Sequence, residues 1–271
     1  MLIDGDFFEM ISDLSFGDPY TKLINPTTEF ILNNTLNIEI PILYIDTSRL
    51  LNLLSVVASI NKKFIIICHN SDITYNDSIV YLIPNNVIRI WCQNYNGVDN
   101  DKIKPLPIGL ERKRWFPEQK KQDVIINNIN SQSDRIKKAY MNFDTGTNYI
   151  RNNWFNYLNN KNFIEQEMVG NGKDYKKYIS NLLLYEFVVS PPGNGIDCHR
   201  NWESLYLGAI PIIEKSNFTN QMFSDMPVLL VDSYTDINEE LLFNYKKSGS
   251  LDKLKPEYWL DIIKNDVEYV K

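Results

Sequence analysis

Short runs of consecutive apolar residues recur along this chain, and a helical or polar segment separates each run from the next. Strands that are apolar throughout are typical of parallel sheets covered on both faces, since strict alternation appears only where one face meets water. The runs predict strands at residues 42–46, 64–68, 87–92, 103–108, 138–143, 163–169, 187–190, 210–213 and 228–232. Helical periodicity predicts helices at residues 27–36, 48–60, 149–160, 174–184, 199–207, 238–243 and 259–270. The pattern therefore indicates an α/β fold.

A charged stretch interrupts this alternation near residues 111–122, with Glu111-Arg112-Lys113-Arg114 at its start. Such a composition is typical of an interdomain connection. The chain has 271 residues, and at about 150 residues per domain this length suits one large or two small domains. We predict domains at residues 1–118 and 119–271, with a last helix that can pack back on the first domain. Ligands of parallel sheets sit at the carboxyl ends of the strands, so we expect a cleft between the domains to hold the site.

Charge and composition exclude several classes of protein. The 28 Lys and Arg residues are outnumbered by 34 Asp and Glu residues, which argues against binding a nucleic-acid polymer. Three cysteines without a Cys-x-x-Cys pair and two histidines argue against a structural zinc site. No apolar run reaches the roughly 18 residues of a membrane span, and the N-terminus is acidic where a signal peptide is basic. We therefore expect a cytoplasmic protein without a membrane span.

The segment from Ser190 to Glu203 concentrates the residues that can carry chemistry. Gly193 and Gly195 lack Cβ atoms, so a ligand can approach the loop backbone closely. A helix is expected to start near residue 197 or 198, where free N–H groups attract phosphate. Arg200 in its first turn can offer two N–H groups to a diphosphate, and Glu203, one turn later, can accept hydrogen bonds from ribose hydroxyls. The loop also contains Asn194, Asp197 and His199. An ordinary strand–loop–helix with a surface Arg–Glu pair is the alternative, because a glycine-rich loop alone is a weak signal.

The run from Pro192 to Pro211 resembles the signature of the exostosin-like glycosyltransferases. It reads Pro-Gly-Asn-Gly-Ile-Asp-Cys-His-Arg-Asn-Trp-Glu-Ser-Leu-Tyr-Leu-Gly-Ala-Ile-Pro. The resemblance extends more weakly upstream, towards bacterial and large-virus relatives, through Asn70-Ser71-Asp72, Gln93-Asn94 and residues 106–110. It implies a GT-B-like fold, in which two Rossmann-type parallel-sheet domains face a cleft. By this resemblance, Arg200 would hold the diphosphate and Glu203 would hold the ribose.

The resemblance also implies an activity. We expect a glycosyltransferase that moves a sugar from a nucleotide donor, with UDP as the expected nucleotide, to a glycan hydroxyl with inversion. No cofactor or metal is expected, because an arginine and a helix dipole take the place of the metal in this class. The N-terminal, acceptor-binding domain should be reduced, because the chain is short for two full domains. The runner-up is a non-catalytic nucleotide- or carbohydrate-binding module. An epimerase-like enzyme is a third possibility, and no early G-x-G-x-x-G favours it.

Inverting transfer needs a base that removes the proton of the acceptor hydroxyl, and this base is expected from the N-terminal half. His69 and Asp72 follow the strand at residues 64–68 and are the leading candidates. Their alternatives are a structural histidine and a capping aspartate. Asp46 is a third candidate, for which a cap near Ser48 is the favoured interpretation. His199 can either donate to phosphate or pack against the start of its helix.

Four weaker signals complete the prediction. Asn142, with Thr145, is expected to contact the nucleotide donor from the end of the strand at residues 138–143. One or more of the cations at 112–114 face an anion, or they form a solvated linker, which is favoured. The turn at Gly170-Asn171-Gly172 can cradle a base, although a plain turn is favoured. Asp4-Gly5-Asp6 matches a metal-binding Asp-x-Asp only incidentally, because metal ligands need a rigid scaffold.

Overall fold

The chain forms two compact units in a computed structural model that describes residues 1–19, 22–115, 120–129, 131, 134–167 and 175–268. The first unit comprises Met1–Ile108 and Lys255–Lys271, and the second comprises Gly109–Leu254. The expected boundary between residues 118 and 119 lies outside the described residues, as does the glycine turn at residues 170–172. Each unit contains a five-stranded parallel sheet, so the prediction of two parallel-sheet α/β domains is confirmed.

The sheet of the first unit follows the order of the chain. Its strands are β1 (Leu14–Ser15), β2 (Ile42–Asp46), β3 (Phe64–His69), β4 (Val87–Gln93) and β5 (Ile103–Leu106), in the order β1-β2-β3-β4-β5. The helices of this unit are α1 (Gly5–Met10), α2 (Thr28–Asn34), α3 (Leu50–Val57) and α10 (Pro256–Glu268). Every residue of β2 and β3 is buried, as expected for strands that are apolar throughout and covered on both faces.

Two crossover connections of the first unit contain no α-helix. Between β3 and β4 the chain forms a 3-10 helix at Asp77–Leu82 in place of an α-helix. Between β4 and β5, residues 94–102 contain no helix, and all of them are described. Parallel strands need crossovers of a dozen or more residues, usually with an α-helix. The unit therefore keeps five strands while saving chain length in the segments that join them.

The C-terminal helix α10 packs on the first unit. Asp266 accepts hydrogen bonds from Arg89 Nη2 at 3.1 Å and from Trp91 Nε1 at 2.9 Å. The Trp259 ring lies edge-on to Trp91 and Phe8, with centroid distances of 6.3 and 6.0 Å. Among the described residues, no helix is long and apolar enough to cross a membrane.

The sheet of the second unit reverses direction. Its strands are β6 (Ile136–Met141), β7 (Ile164–Gln166), β8 (Tyr185–Val189), β9 (Ile210–Glu214) and β10 (Leu229–Val231), in the order β10-β9-β8-β6-β7. From β6 the chain goes to one side for β7 and to the other side for β8. Such a reversal is a topological switch point, and the loops at the carboxyl ends of the two central strands open a crevice there. The helices are α4 (Lys121–Ile126), α5 (Ile150–Leu158), α6 (Tyr175–Leu184), α7 (His199–Tyr206), α8 (Asn217–Phe223) and α9 (Glu239–Asn244).

Most predicted elements are present, and the differences have local causes. The helix expected at residues 48–60 begins as a 3-10 turn, and Asp46 caps it by accepting from Ser48 N at 2.9 Å. Asp46 therefore has the capping role near Ser48 that the sequence favours for it. Helix α8 was not predicted, because its sequence is largely polar. Ser216 and Thr219 form a capping box that starts it, and a capping box satisfies two otherwise free N–H groups.

Candidate functional site

Two loops leave the carboxyl edge of the second sheet at its switch point. Residues 142–149 follow β6 and lead into α5, and residues 190–198 follow β8 and lead into α7. Neither N-cap residue accepts a side-chain hydrogen bond from its helix, although Asn148 Oδ1 accepts from Ile150 N at the start of α5. The helix dipole favours anions at such positions. These loops contain every donor-site residue predicted from the sequence except Glu203, Arg200 and His199, which lie on α7 itself.

Asp197 is part of the scaffold of the second loop. Its carboxylate is buried and accepts three hydrogen bonds, from Cys198 N at 2.9 Å, Asn201 Nδ2 at 2.9 Å and Trp202 Nε1 at 2.8 Å. A carboxylate engaged in this way stabilises the loop and the start of α7. Asp197 thus has a structural role in this conformation, and its contact with a nucleotide stays a prediction.

Gly193 lies where an arginine passes beneath the loop. Its carbonyl accepts from Asn148 Nδ2 at 2.6 Å, and the preceding carbonyl, of Pro192, accepts from Arg151 Nε at 2.8 Å. A Cβ atom at position 193 would lie 3.3 Å from Arg151 Nη2. The glycine thus permits this close approach, while Asn194 at the loop tip is exposed and Gly195 is buried.

Arg151 is a site residue that the sequence analysis missed. It is 6% exposed, its Nη1 donates to Asp144 O at 3.1 Å, and its guanidinium carbon lies 5.8 Å from the Phe143 ring centroid. All its hydrogen bonds among the described residues go to main-chain carbonyls. A positional signal was available: Arg151 is the second residue of the helix after β6, as Arg200 is of the helix after β8.

Arg200 approaches the same aromatic ring. Its guanidinium carbon lies 5.9 Å from the Phe143 centroid, and its Nη2 donates to Asn142 O at 2.7 Å. Its Nε is buried and has no hydrogen-bond partner within the described part of the chain. A buried N–H without a partner costs free energy, which a bound acceptor would recover.

The two arginines form a cationic pair that no salt bridge neutralises within the described ranges, and the charge of Asp144 acts on Arg151 only from beyond ion-pair distance. No carboxylate pairs with Arg151 or Arg200 among the described residues. Burial, and then the charge of Arg200, lower the pKa of Arg151. Buried charges are ordinarily paired, because leaving water is costly for an ion. This pair, which we call the arginine pair, can therefore bind a ligand that brings its own negative charges.

Glu203 lies one helical turn beyond Arg200 and is held by two tyrosines. Its Oε1 accepts from Tyr175 OH at 2.9 Å and its Oε2 from Tyr178 OH at 2.8 Å, and the residue is 7% exposed. Burial, and next the charge of Glu203, raise the pKa of both tyrosines. Both hydroxyls therefore remain protonated and continue to donate. Neither tyrosine belongs to a motif that the sequence reveals.

Two further predicted residues border the site. Asn142 donates through Nδ2 to Tyr140 OH at 2.8 Å, while its main-chain carbonyl receives Arg200. Asn142 thus contacts Arg200 through its backbone. His199 is half-buried, and its Nδ1 lies 2.8 Å from Gly109 O. Of its two predicted roles, this bond supports packing at the start of α7.

The base candidates of the first unit differ in their access to solvent. His69 is 1% exposed, with Nδ1 at 2.8 Å from Asn70 Oδ1 and Nε2 at 3.0 Å from Pro107 O. Both ring nitrogens therefore have partners within the protein in this conformation, and the role of His69 as a base stays a prediction. Asp72 is exposed in the loop after β3. Asp46 is buried and caps a turn, as its favoured interpretation had it, and burial raises its pKa.

The remaining charged signals have structural explanations. Asp4 Oδ1 accepts from Phe7 N at 2.8 Å and so caps α1. Arg112 is only 2% exposed and lies 5.9 Å from the Trp115 ring centroid, so a solvated linker is wrong for this residue. A cavity of about 240 Å³ is lined by residues 111–113 and 120–123, all of them charged except Gln122. Within the described ranges, no three His, Cys, Asp or Glu residues could hold a metal.

Comparisons with known proteins give distant structural likenesses. An α,α-trehalose 6-phosphate synthase from Burkholderia multivorans has a TM-score of 0.48 at 9% identity, over 90% of this chain and 75% of that chain. An α,α-trehalose-phosphate synthase (UDP-forming) from Burkholderia vietnamiensis has a TM-score of 0.44 at 6% identity, over 88% and 73%. No family model and no curated protein matches the chain. At these similarities the function must be inferred from the residues of the chain itself.

Proposed function

We propose that this protein is a glycosyltransferase whose second unit binds the diphosphate of a nucleotide sugar at the arginine pair. The observation that carries the proposal is that neither Arg151 nor Arg200 forms a salt bridge among the described residues, although Arg151 is buried and the buried Nε of Arg200 has no hydrogen-bond partner there. Planar guanidinium groups suit two-point hydrogen bonding to phosphate oxygens. The switch point of a parallel sheet is also where nucleotide ligands bind in α/β proteins.

The chemistry follows from where charge develops. An acceptor hydroxyl oxygen attacks the anomeric carbon of the sugar, its bond to the diphosphate oxygen breaks, and the nucleoside diphosphate leaves with the electron pair. Positive groups held in place beforehand stabilise that leaving group as its charge grows. Arg200, with its unpartnered Nε, and Arg151 supply this stabilisation. Glu203 receives the ribose, as the resemblance to exostosin-like enzymes of the GT-B class implies.

The proton of the acceptor hydroxyl needs a base. Asp72 is the candidate that we retain, because its carboxylate is exposed whereas both nitrogens of His69 are bonded. Direct attack at the anomeric carbon makes the transfer inverting, and UDP is the nucleotide that we propose. A glycan hydroxyl is the proposed acceptor, with no metal or cofactor in the reaction.

Nucleotide binding tests the proposed site. Isothermal calorimetry with UDP, GDP and CMP should show binding of UDP to the unaltered chain, with CMP, which lacks a diphosphate, binding more weakly. Arg200→Ala should weaken the binding about 100-fold, because charge-assisted hydrogen bonds contribute about 1.5–3 kcal/mol each. Glu203→Ala should weaken it strongly as well. Lys246→Ala, which removes an exposed positive charge from the same unit, is the control and should bind normally. Equal affinities in Arg200→Ala and Lys246→Ala would exclude the arginine pair as the diphosphate site.

A binding module without catalysis is the second candidate. The observation that favours it is the structural use of His69 and Asp46, which leaves only Asp72 as an accessible base candidate in the predicted set. Transfer and hydrolysis assays with UDP-, GDP- and CMP-sugars separate the two functions. If the unaltered chain turns over a donor and Asp72→Asn loses this turnover but keeps its nucleotide affinity, the protein is an enzyme. Tight binding without turnover for any donor and glycan acceptor supports the module.

A further inference from the structure

Tyr175 and Tyr178 bring their hydroxyl groups to the two oxygens of one carboxylate. They lie three residues apart on α6, which places both side chains on one face of the helix. Their rings are 5.8 Å apart between centroids, and each hydroxyl donates to a different oxygen of Glu203, at 2.9 and 2.8 Å. Glu203 has no cationic partner among the described residues.

The arrangement leaves acceptor capacity on each oxygen of Glu203. An ionised carboxylate has about four lone-pair sites, and the tyrosines occupy one on each oxygen. One free site therefore remains on each oxygen. A vicinal diol presents two neighbouring O–H groups, which is the complement of such a carboxylate.

Each tyrosine is itself held in place. The Tyr178 ring packs 6.3 Å from that of Tyr140, and the ammonium group of Lys121 lies 5.4 Å from the centre of the Tyr175 ring. Lys121 is ion-paired with Glu111 at 2.8 Å. Hydroxyl groups on rings that are packed in this way lose little rotational freedom when they bond. They can therefore set the orientation of the carboxylate before a ligand arrives.

We propose that Tyr175 and Tyr178 are positioning residues that hold Glu203 for the 2′- and 3′-hydroxyls of a ribonucleotide. The site would thereby select ribonucleotides against 2′-deoxyribonucleotides. This inference rests on the proposed function, because Arg200 one turn away must hold the diphosphate of the same ligand. Neither tyrosine touches the reacting atoms, so their effect should appear in the recognition of the ribose.

The test compares ligands with and without the 2′-hydroxyl. Dissociation constants are measured for UDP, 2′-deoxy-UDP and inorganic pyrophosphate with the unaltered chain and with Tyr175→Phe, Tyr178→Phe and Tyr157→Phe. Tyr157 donates to Thr235 O at 2.8 Å, away from Glu203, and is the matched control. We expect the unaltered chain and the control to prefer UDP about tenfold, the value of one such hydrogen bond. Each of the other variants should reduce this preference to about threefold or less, with pyrophosphate affinity unchanged.

The possible outcomes separate this inference from the proposed function. If the unaltered chain binds neither UDP, GDP nor pyrophosphate, the nucleotide site itself is wrong. If it binds UDP and 2′-deoxy-UDP equally, Glu203 does not recognise the ribose. If it prefers UDP and both tyrosine variants keep that preference, the tyrosines serve only the fold. Tyr175→Phe provides the decisive measurement should Tyr178→Phe fail to fold, since Tyr175 lies at the first turn of its helix.

Discussion

Each unit has a five-stranded parallel sheet, and the two sheets differ in the order of their strands. In the first unit the strands follow the chain from β1 to β5, whereas in the second unit the order reverses at β6 and β8. In parallel sheets, ligands bind at the point where the strand order reverses, and within the described residues only the second sheet has such a reversal. Within the described residues, the arginine pair lies at that reversal.

The polar residues at the two edges have correspondingly different partners. In the first unit, Gln93 Oε1 accepts from Asn70 N at 2.8 Å, and Asn94 Nδ2 donates to Ser71 O at 3.1 Å. These polar groups satisfy one another. In the second unit, Arg200 keeps a buried N–H without a partner. The comparison teaches that polar residues after parallel strands do not identify a site by themselves, whereas buried charge without a partner does.

The largest effect on this contrast is expected from Asp197→Ala. The substitution leaves three buried hydrogen-bond donors unsatisfied, those of Cys198, Asn201 and Trp202. At about 1–3 kcal/mol for each buried unsatisfied group, we expect the free energy of unfolding to fall by about 3 kcal/mol or more. UDP binding should weaken with it, because the loop loses its shape. Chemical denaturation and calorimetry measure the two quantities.

A control for this prediction is Asp232→Ala, which removes an exposed carboxylate paired with Lys215 at 2.9 Å. Exposed ion pairs contribute about 0–1 kcal/mol, so this variant should remain near the original stability. A variant Asp197→Ala that lost UDP binding without any loss of stability would show that Asp197 contacts the nucleotide directly, as the sequence alone suggested.

The second prediction concerns the edge of the first unit. Asp46→Ala removes the acceptor of Ser48 N and Ser48 Oγ, at 2.9 and 2.5 Å. We expect the free energy of unfolding to fall by about 2 kcal/mol, with UDP affinity unchanged. Asp72→Ala, on an exposed loop of the same unit, should leave both quantities unchanged. If Asp46→Ala abolished sugar transfer while the protein remained stable, the capping role would not explain this residue.

The sequence predicts the strands well because each buried strand corresponds to a local run of apolar residues. The apolar run at residues 42–46 predicts β2 with the bounds that the structure has. Strand order is different, because it depends on pairing between distant segments. Strand β6 pairs with both β7 and β8, and its sequence does not indicate the pairing with β8. Helix α8 escapes prediction because its apolar positions are few and its start depends on a capping box.

In the candidate site too, the sequence predicts the residues that local spacing brings together and misses those that distant segments bring together. Helical spacing alone places Arg200 and Glu203 on one face of α7, and the sequence therefore predicts that pair. Arg151 lies about forty positions from the loop that it supports, and its bond to Pro192 O exists only in the folded chain. The burial of His69 depends likewise on the carbonyl of Pro107. Periodicity and local motifs do not contain such long-range contacts.

The third prediction uses the tyrosines of the second unit. Burial and the charge of Glu203 hold the pKa of Tyr178 well above its usual range. Above about pH 10 the unfolded chain loses this proton while the folded chain keeps it, so the free energy of unfolding falls as pH rises. For one tyrosine the loss reaches about 1.4 kcal/mol at pH 11. Denaturation series at pH 9, 10 and 11 should show a shallower decline in Tyr178→Phe. The same slope in the variant and the original chain would contradict the assigned burial.

The smallest effect, and the one that separates the two units most directly, is expected from removing an arginine. Arg89 in the first unit is ion-paired with Asp266 at 3.1 Å, so Arg89→Met leaves that carboxylate without its cation and should lower the free energy of unfolding. Arg200→Met removes a charge that has no partner and that opposes Arg151. Without a ligand it should leave the free energy of unfolding unchanged or raise it by up to about 1 kcal/mol, while UDP binding is lost. Such a site stores unfavourable free energy that ligand binding releases. If Arg200→Met lost as much stability as Arg89→Met, the second unit would neutralise its arginines as the first unit does.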